Sequence, residues 1–516
     1  MDAERSVIEA VVIEGGKIKY TAENREEAHN LFPGAELVEI NGGCILPGFV
    51  DAHLHLKNFS LLFRDMDLSS VRHKNDLMDS VQEVLSKKKE GEWLSAGGLE
   101  RPLMDSLTRS DLDSVSRDNP LILFTVDMSS AITNSMALAQ SDIDGARKDP
   151  LGGTIEKDVY NQPNGILHGR AVGLVMGQIP LDNVKKVDTA LERGMNKILS
   201  HGITTFCDYS PDAASSSMIN LMKLMRKKRL KGMVVFTVGD RETARLADIG
   251  MTSLFGGEHL RLGGLAVIID GSFSSLTGYM SKPYRGSESH GMLLMDEKEL
   301  YSLLKRNYSH YIWAAVHCAG DMANEIALRV FEKISNEVGM PKLPMRIEQA
   351  QFLKDKDVEQ FSLTGVIAVM NTIQIPVNRA RAIKHLGPDS NLLSRLGSLV
   401  ASGAKIAISS NAPEFTINPF HGLYCAVERK GFEEGPELRF YPKESISLTD
   451  AVYAYTMGGA MACEMEKDIG SIEAGKSADL IHLSKDIFKE ETGKLRETEV
   501  LATFVGGEMV YEKKLS

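Results

Sequence analysis

Several things are missing from this 516-residue chain, and each absence narrows what it can be. No stretch reaches the roughly 18 uncharged apolar residues that a membrane span needs. The opening MDAERSVIEA places charges first and lacks the basic-then-apolar order of a secretory signal. A basic excess is also missing: 59 lysines and arginines stand against 70 aspartates and glutamates, a net charge of −11. That balance excludes the positive footprint of a nucleic-acid binder and disfavours docking on an anionic membrane. Cysteines are few, odd in number and scattered (Cys44, Cys207, Cys318, Cys425, Cys463), the pattern of reduced thiols in a reducing compartment. The expectation is a cytoplasmic protein with a small-molecule partner, no nucleic acid, no membrane and a homodimer as its assembly.

What is present is ordinary globular composition, 43% hydrophobic and 25% charged, in a chain too long for one simple core. Near the N-terminus, VVIEGGKIKY reads as two alternating strands about a Gly-Gly turn. SADLIHL and LATFVGGEMVYE have the same texture at the other end. The two ends are therefore expected to form one composite β unit, residues 1–50 with 470–516. Between them, over 51–469, β-rich runs alternate with helical stretches. These runs end near His55, Asp208, Val238, Ile269, His317, Glu348, Met370 and Ser410. Eight such repeats predict an α/β fold, a (β/α)8 barrel of the TIM type with a small β-sandwich domain built from both termini. Residues 64–200 are too many for a loop and predict an inserted subdomain capping the barrel mouth.

The chemistry begins with His53 and His55 in GFVDAHLHL. Residues i and i+2 of a strand share a face, so both imidazoles can reach one metal ion. An HxH pair is a weak signal alone. Its place at the end of an apolar strand, where a barrel opens on its active-site face, strengthens it.

With its flanks, LPGFVDAHLHL resembles the first-strand motif of the amidohydrolase superfamily. The run LTDAVYAYTMGGAMACEMEKDIGSIEAGKSADLIHL is similar to that family's closing segment. GGTIEKD, LRLGGLAVIIDGSFSS, HCAGD, RIEQAQ and SSNAPEFTINPF extend the likeness along the chain. The branch containing N-substituted formamide deformylase is the best match. The resemblance implies metals at the strand ends that turn a bound water into a nucleophile, with an aspartate as proton acceptor. Carried over position by position, it assigns His53, His55 and His317 as metal ligands. Ala266 stands where the strand-four lysine is usual, Gln349 where a strand-six histidine is, and Asn411 where the catalytic aspartate is. On the substrate side, Ser129 replaces a histidine and Gly169 a glutamate.

Ala266 offers no bridging carboxylate, and Asn411 accepts no proton near neutral pH. The remaining imidazoles imply one divalent ion, zinc by preference, or none. Asp208 is the substitute carboxylate this reading favours; Asp270 and Asp321 read as loop or cap carboxylates. Glu348 is expected to point away from the barrel interior if its neighbour Gln349 points in. Cys318 reads as a buried structural thiol, and His168 and His201 as ordinary polar residues. Three functions stay open: hydrolysis of a non-peptide C–N bond at a reduced, mononuclear site; a catalytically inactive homologue that binds a small molecule or regulates; and altered chemistry on the same barrel.

Overall fold

A computed structural model describes residues 6–40, 42–63, 65–68, 70–125, 130–150, 153–180, 187–211, 218–338 and 343–513. Eight strands form one parallel sheet in chain order: β1 (Phe49–Leu54), β2 (Ile203–Asp208), β3 (Met233–Val238), β4 (Leu260–Ile268), β5 (Ala314–His317), β6 (Met345–Glu348), β7 (Ile367–Met370) and β8 (Ile406–Ile408). Strands such as FVDAHL, ITTFCD and MVVFTV are buried along their whole length. That is the demand made on a parallel sheet covered on both faces, and it explains their near-continuous apolar character. Closure between β8 and β1 uses the chain just past β8. The Asn411 N–H donates to the His53 carbonyl at 2.9 Å and the His55 N–H to the Ala412 carbonyl at 2.8 Å. The Ser410 N–H adds a bond to Asp51 Oδ1 at 3.0 Å. The fold is thus a (β/α)8 barrel, and its closing seam runs directly beneath the HxH pair.

The helix Val187–Ser200 precedes β2 and packs on the short helix Leu56–Leu61 that follows β1. Gly194 makes this approach possible, because a Cβ there would lie 2.2 Å from Ser60 Oγ. Residues 187–200, expected within the insertion, are therefore part of the barrel's own helical layer. The insertion itself is a six-stranded sheet. Its order is Met66–Asp67, Leu94–Leu99, Leu121–Thr125, Ser130–Thr133, Pro163–Gly169 and Gly153–Lys157, over a separate apolar core that includes Leu77, Leu94, Leu121 and Leu123.

The chain ends meet as the sequence pattern suggests. Cys44–Pro47 pairs antiparallel with Leu480–Leu483, which pairs with Val500–Val505 and then Glu508–Glu512. Ahead of them, Ala10–Glu14 and Lys17–Ala22 form a hairpin whose turn, Gly15-Gly16, has φ of 57° and 79°. Two consecutive positive φ values are what a tight hairpin turn requires, and glycine adopts them without steric cost. The hairpin docks on the C-terminal segment through Ile18 N–H to the Lys476 carbonyl and Ala478 N–H to the Gly16 carbonyl. Among the described residues no helix is long and apolar enough to cross a membrane.

Candidate functional site

A cavity of about 150 Å³ opens at the C-terminal ends of the barrel strands, and His53, His55, His317, Gln349 and Asn411 all line it. The barrel thus brings together five of the positions singled out from sequence, at the ends of β1, β5 and β6 and in the turn after β8. Asp208 is elsewhere. It is buried at the end of β2, where its carboxylate accepts the Leu56 N–H at 2.9 Å, and it does not line the cavity. Its chemistry is that of a cap on the chain leaving β1, which accounts for a buried carboxylate without a catalytic role. Ala266 is buried one step deeper on the strand face that carries Ile268, which does line the cavity. Gly169 begins the helix Arg170–Met176 in the insertion. No described residue of the insertion lines the cavity, and Ser129 lies outside the described residues.

The orientation of the HxH pair is built from below. His53 is buried, and its Nδ1–H donates to Glu348 Oε2 at 2.6 Å. The other carboxylate oxygen of Glu348 accepts from Arg346 Nε at 2.6 Å. Arg346, fully buried, also donates to the carbonyls of Ala462 and Ala52 and lies 5.3 Å from the Trp313 ring. Burial pushes the Glu348 carboxyl up. The Arg346 charge and the His53 bond outweigh it and hold the group down to about 2.

Glu348 therefore points into the barrel interior, contrary to the expectation from alternation. Strand geometry ends at Glu348. Gln349 has φ of 70°, in the left-handed region, so both neighbours reach toward the centre from different heights. The RIE run contained a usable signal, because an arginine and a glutamate two apart on a fully buried strand must pair with each other.

His55 is fixed by Tyr209, a residue that sequence reasoning missed. The Nδ1–H of His55 donates to the Tyr209 carbonyl at 2.9 Å. The Tyr209 ring stacks on His53 with centroids 4.4 Å apart, and its hydroxyl donates to the Val267 carbonyl at 2.9 Å. One residue past β2 thus steers both histidines and bonds to the backbone of the strand that carries Ala266. Burial and the neighbouring His53 lower the His55 pKa to about 4, and burial likewise takes His317 down to about 4. Both are neutral at pH 7. His317 Nδ1 is buried with no hydrogen-bond partner among the described residues, 3.8 Å from Asp270 Oδ1.

Asp270 serves the loops. It accepts the N–H groups of Tyr279, Ala319 and Gly320 at 2.8 to 2.9 Å, joining the segment after β4 to the segment after β5. Asp321 similarly accepts from the Ser281 N–H at 2.8 Å. Cys318 is buried, with its thiol pKa raised by burial, and turns toward the Val316 carbonyl at 3.8 Å. His168 does not line the cavity and links Ser130 Oγ at 2.8 Å and Glu156 Oε1 at 2.6 Å across three strands of the inserted sheet. His201 sits before β2, at the opposite end of the barrel.

The remaining lining mixes amides (Gln351, Gln374, Asn378) with Ser272, Ser274, Ile268, Phe273 and Ala319, and among the described residues Glu414 is its one carboxylate. Its Oε2 accepts from Asn411 Nδ2 at 2.8 Å. Among the described residues, no lysine or arginine lines the space.

The donor chemistry suits one cation better than two. Each HxH ring holds a proton at Nδ1, so in the neutral ring Nε2 is the lone-pair nitrogen, the arrangement by which outer partners orient metal-ligating histidines. Ala266 has no ligand to offer for bridging to a second ion. Among the described residues, no three His, Cys, Asp or Glu side chains converge closely enough to hold an ion as they stand.

An eight-stranded parallel barrel with an HxH pair on its first strand and a third histidine on its fifth defines an amidohydrolase-like protein. The model of the Amidohydrolase family matches residues 36–511, and this chain belongs to that family. Among curated relatives, it is 28% identical over 495 residues to Protein LONG AFTER FAR-RED 3 of Arabidopsis thaliana, covering 93% of this chain and 84% of that one. It is 28% identical over 519 residues to the putative amidohydrolase YtcJ of Bacillus subtilis, covering 98% and 96%. To N-substituted formamide deformylase of Arthrobacter pascens it is 26% identical over 542 residues, covering 99% and 96%. A solved metal-dependent hydrolase from Pyrococcus horikoshii superposes with a TM-score of 0.66 at 24% identity, over 94% of this chain and 95% of that one, and shows the shared fold.

Proposed function

We propose that the protein hydrolyses a non-peptide C–N bond, of the amide, N-acyl or N-formyl kind, in a small uncharged molecule. It does so at a reduced site with one divalent ion, zinc first, on His53, His55 and His317. The observation that supports this most is the fixing of both HxH rings through Nδ1, by Glu348 and by the Tyr209 carbonyl, which makes Nε2 the ligand nitrogen of each ring; at His55 the Asn411 side chain is the neighbour an ion would displace. A bound ion of this kind lowers the pKa of water toward about 7 and polarises a carbonyl.

This chain's residues supply the rest. Arg346 keeps Glu348 ionised, and Glu348 keeps the His53 proton on Nδ1. His317 completes three donors only by turning its ring toward the pair. Asn411 accepts no proton and Asp208 caps the Leu56 N–H away from the cavity, so this reading assigns the proton to Glu414, the carboxylate among the described lining residues. A second reading, ligand binding without turnover, is favoured by the same asparagine and by the lack of three converging ligands among the described residues.

Elemental analysis of unchelated protein separates the two. The expected result is about one zinc, iron or manganese per chain, lost in a His53→Ala, His55→Ala control, with turnover of N-formyl or N-acyl compounds that chelation stops. Protein that folds normally yet takes up no ion from excess zinc would rule out the hydrolytic reading and leave the binding one.

A further inference from the structure

Tyr209 carries its ring into the middle of the barrel and is fastened there at both ends. On the β1 side the ring stacks on His53, centroids 4.4 Å apart, and meets His55 edge-on at 6.0 Å. On the far side its hydroxyl donates to the Val267 carbonyl of β4 at 2.9 Å. The Leu265 and Ile269 N–H groups donate to the Trp313 and His317 carbonyls along β5. Alternate residues of a parallel strand bond toward the same neighbour, so the Val267 carbonyl also faces β5. The hydroxyl therefore reaches it from the barrel interior, between the inward side chains of Ala266 and Ile268. Of these two, Ile268 lines the cavity, whereas Ala266 is only 3% exposed and does not.

We infer that the Tyr209 ring covers the Ala266 methyl and fills the space a longer side chain there would need, so that Tyr209 keeps β4 from supplying a ligand to a second ion. Alanine at 266 and tyrosine at 209 then go together: the small side chain leaves room for the ring, and the ring leaves none for a longer one. Interiors are packed closely enough for one such exchange of volume to be felt. Tyr209 is a positioning residue. It holds the His53 ring and closes the place above Ala266, while its hydroxyl proton is given to Val267. The consequence for ion number rests on the proposed reading of the cavity as a metal site; the packing holds with or without an ion.

Two measurements on the full chain test this. The first is a double-mutant cycle read by melting temperature on chelated protein. Ala266→Leu drives a longer side chain against the ring and should melt about 2 to 6 °C below wild type. Tyr209→Ala empties the space and should lose at least as much. With both changes the leucine fills the room the ring gave up, so the double variant should melt about 3 °C or more above the value given by adding the two losses. Additive losses would mean that the two side chains do not share a space. The second is elemental analysis after incubation with excess zinc and dialysis. Ala266→Glu offers a carboxylate on β4 and should hold no more zinc than wild type while Tyr209 is in place. Combined with Tyr209→Ala, it should hold about one ion more per chain. An extra ion in Ala266→Glu alone, or none in the combined variant, would overturn the inference. Tyr209→Leu, smaller than tyrosine but still apolar, replaces Tyr209→Ala in both measurements if the alanine variant does not fold. Zinc uptake by wild type tests the one-ion reading and the differences between variants test this one, so the two failures are told apart.

Discussion

Replacing Glu348 by glutamine removes the centre of the buried Arg346–Glu348–His53 relay, and the size of the effect follows from the geometry. Glu348 lies between two buried partners, each at 2.6 Å. Its pKa falls from the ordinary 4.5 to about 2, burial being outweighed by Arg346 and His53. At about 1.4 kcal/mol for each pH unit, that depression corresponds to about 3 kcal/mol of stability at neutral pH. Leaving a buried arginine without its partner independently predicts roughly 3 to 5 kcal/mol. At roughly 2 °C per kcal/mol for a large domain, Glu348→Gln should melt about 6 °C below wild type at pH 7.

A carboxylate with a depressed folded-state pKa stabilises above its unfolded value and loses that contribution as pH falls toward the folded one. The gap between variant and wild type should therefore narrow below about pH 4.5 and close toward about pH 2. Scanning calorimetry from pH 7 to pH 3 measures both effects. A variant that melts within a degree of wild type at pH 7, or a gap that does not change with pH, would refute the argument that Arg346 and His53 hold this carboxylate ionised.

Two further outcomes are expected. Gly194→Ala places a Cβ 2.2 Å from Ser60 Oγ and 2.8 Å from its Cα, so it should cost about 1 to 3 kcal/mol through overpacking; an unchanged melting temperature would mean that Val187–Ser200 does not pack on the barrel as described. Cys318, buried with its thiol pKa raised, should resist iodoacetamide in the native protein at pH 8 and react after denaturation, as peptide mass mapping would record; rapid native labelling would place it in an open, activated setting.

How far the sequence reaches can be seen residue by residue. The Gly15-Gly16 hairpin was legible because turn chemistry is local. The barrel strands were legible because parallel strands buried on both faces must be apolar throughout. His53 and His55 were legible as a pair because the period of a strand places i and i+2 on one side. The limit of that same rule misdirected Glu348, since it stops where the strand stops, and Gln349 has already left strand geometry. Nothing local marked the helix Val187–Ser200 as part of the barrel, because the Gly194–Ser60 contact joins segments more than a hundred residues apart.

The sequence by itself determined the repeating strand-and-helix order, the union of the two chain ends and the set of histidines that survive. Each rests on periodicity, composition or motif, which neighbouring residues carry among themselves. Only the tertiary structure decided which atoms those histidines present. Glu348 and Tyr209 turn the two rings, Gln374 occupies the Gln349 carbonyl, and Glu414 takes the Asn411 amide nitrogen. A hydrogen bond fixes an imidazole or amide only when donor and acceptor meet in space, and Glu348, Tyr209 and Gln374 all reach their partners from the ends of other strands of the closed barrel or the segments that follow them.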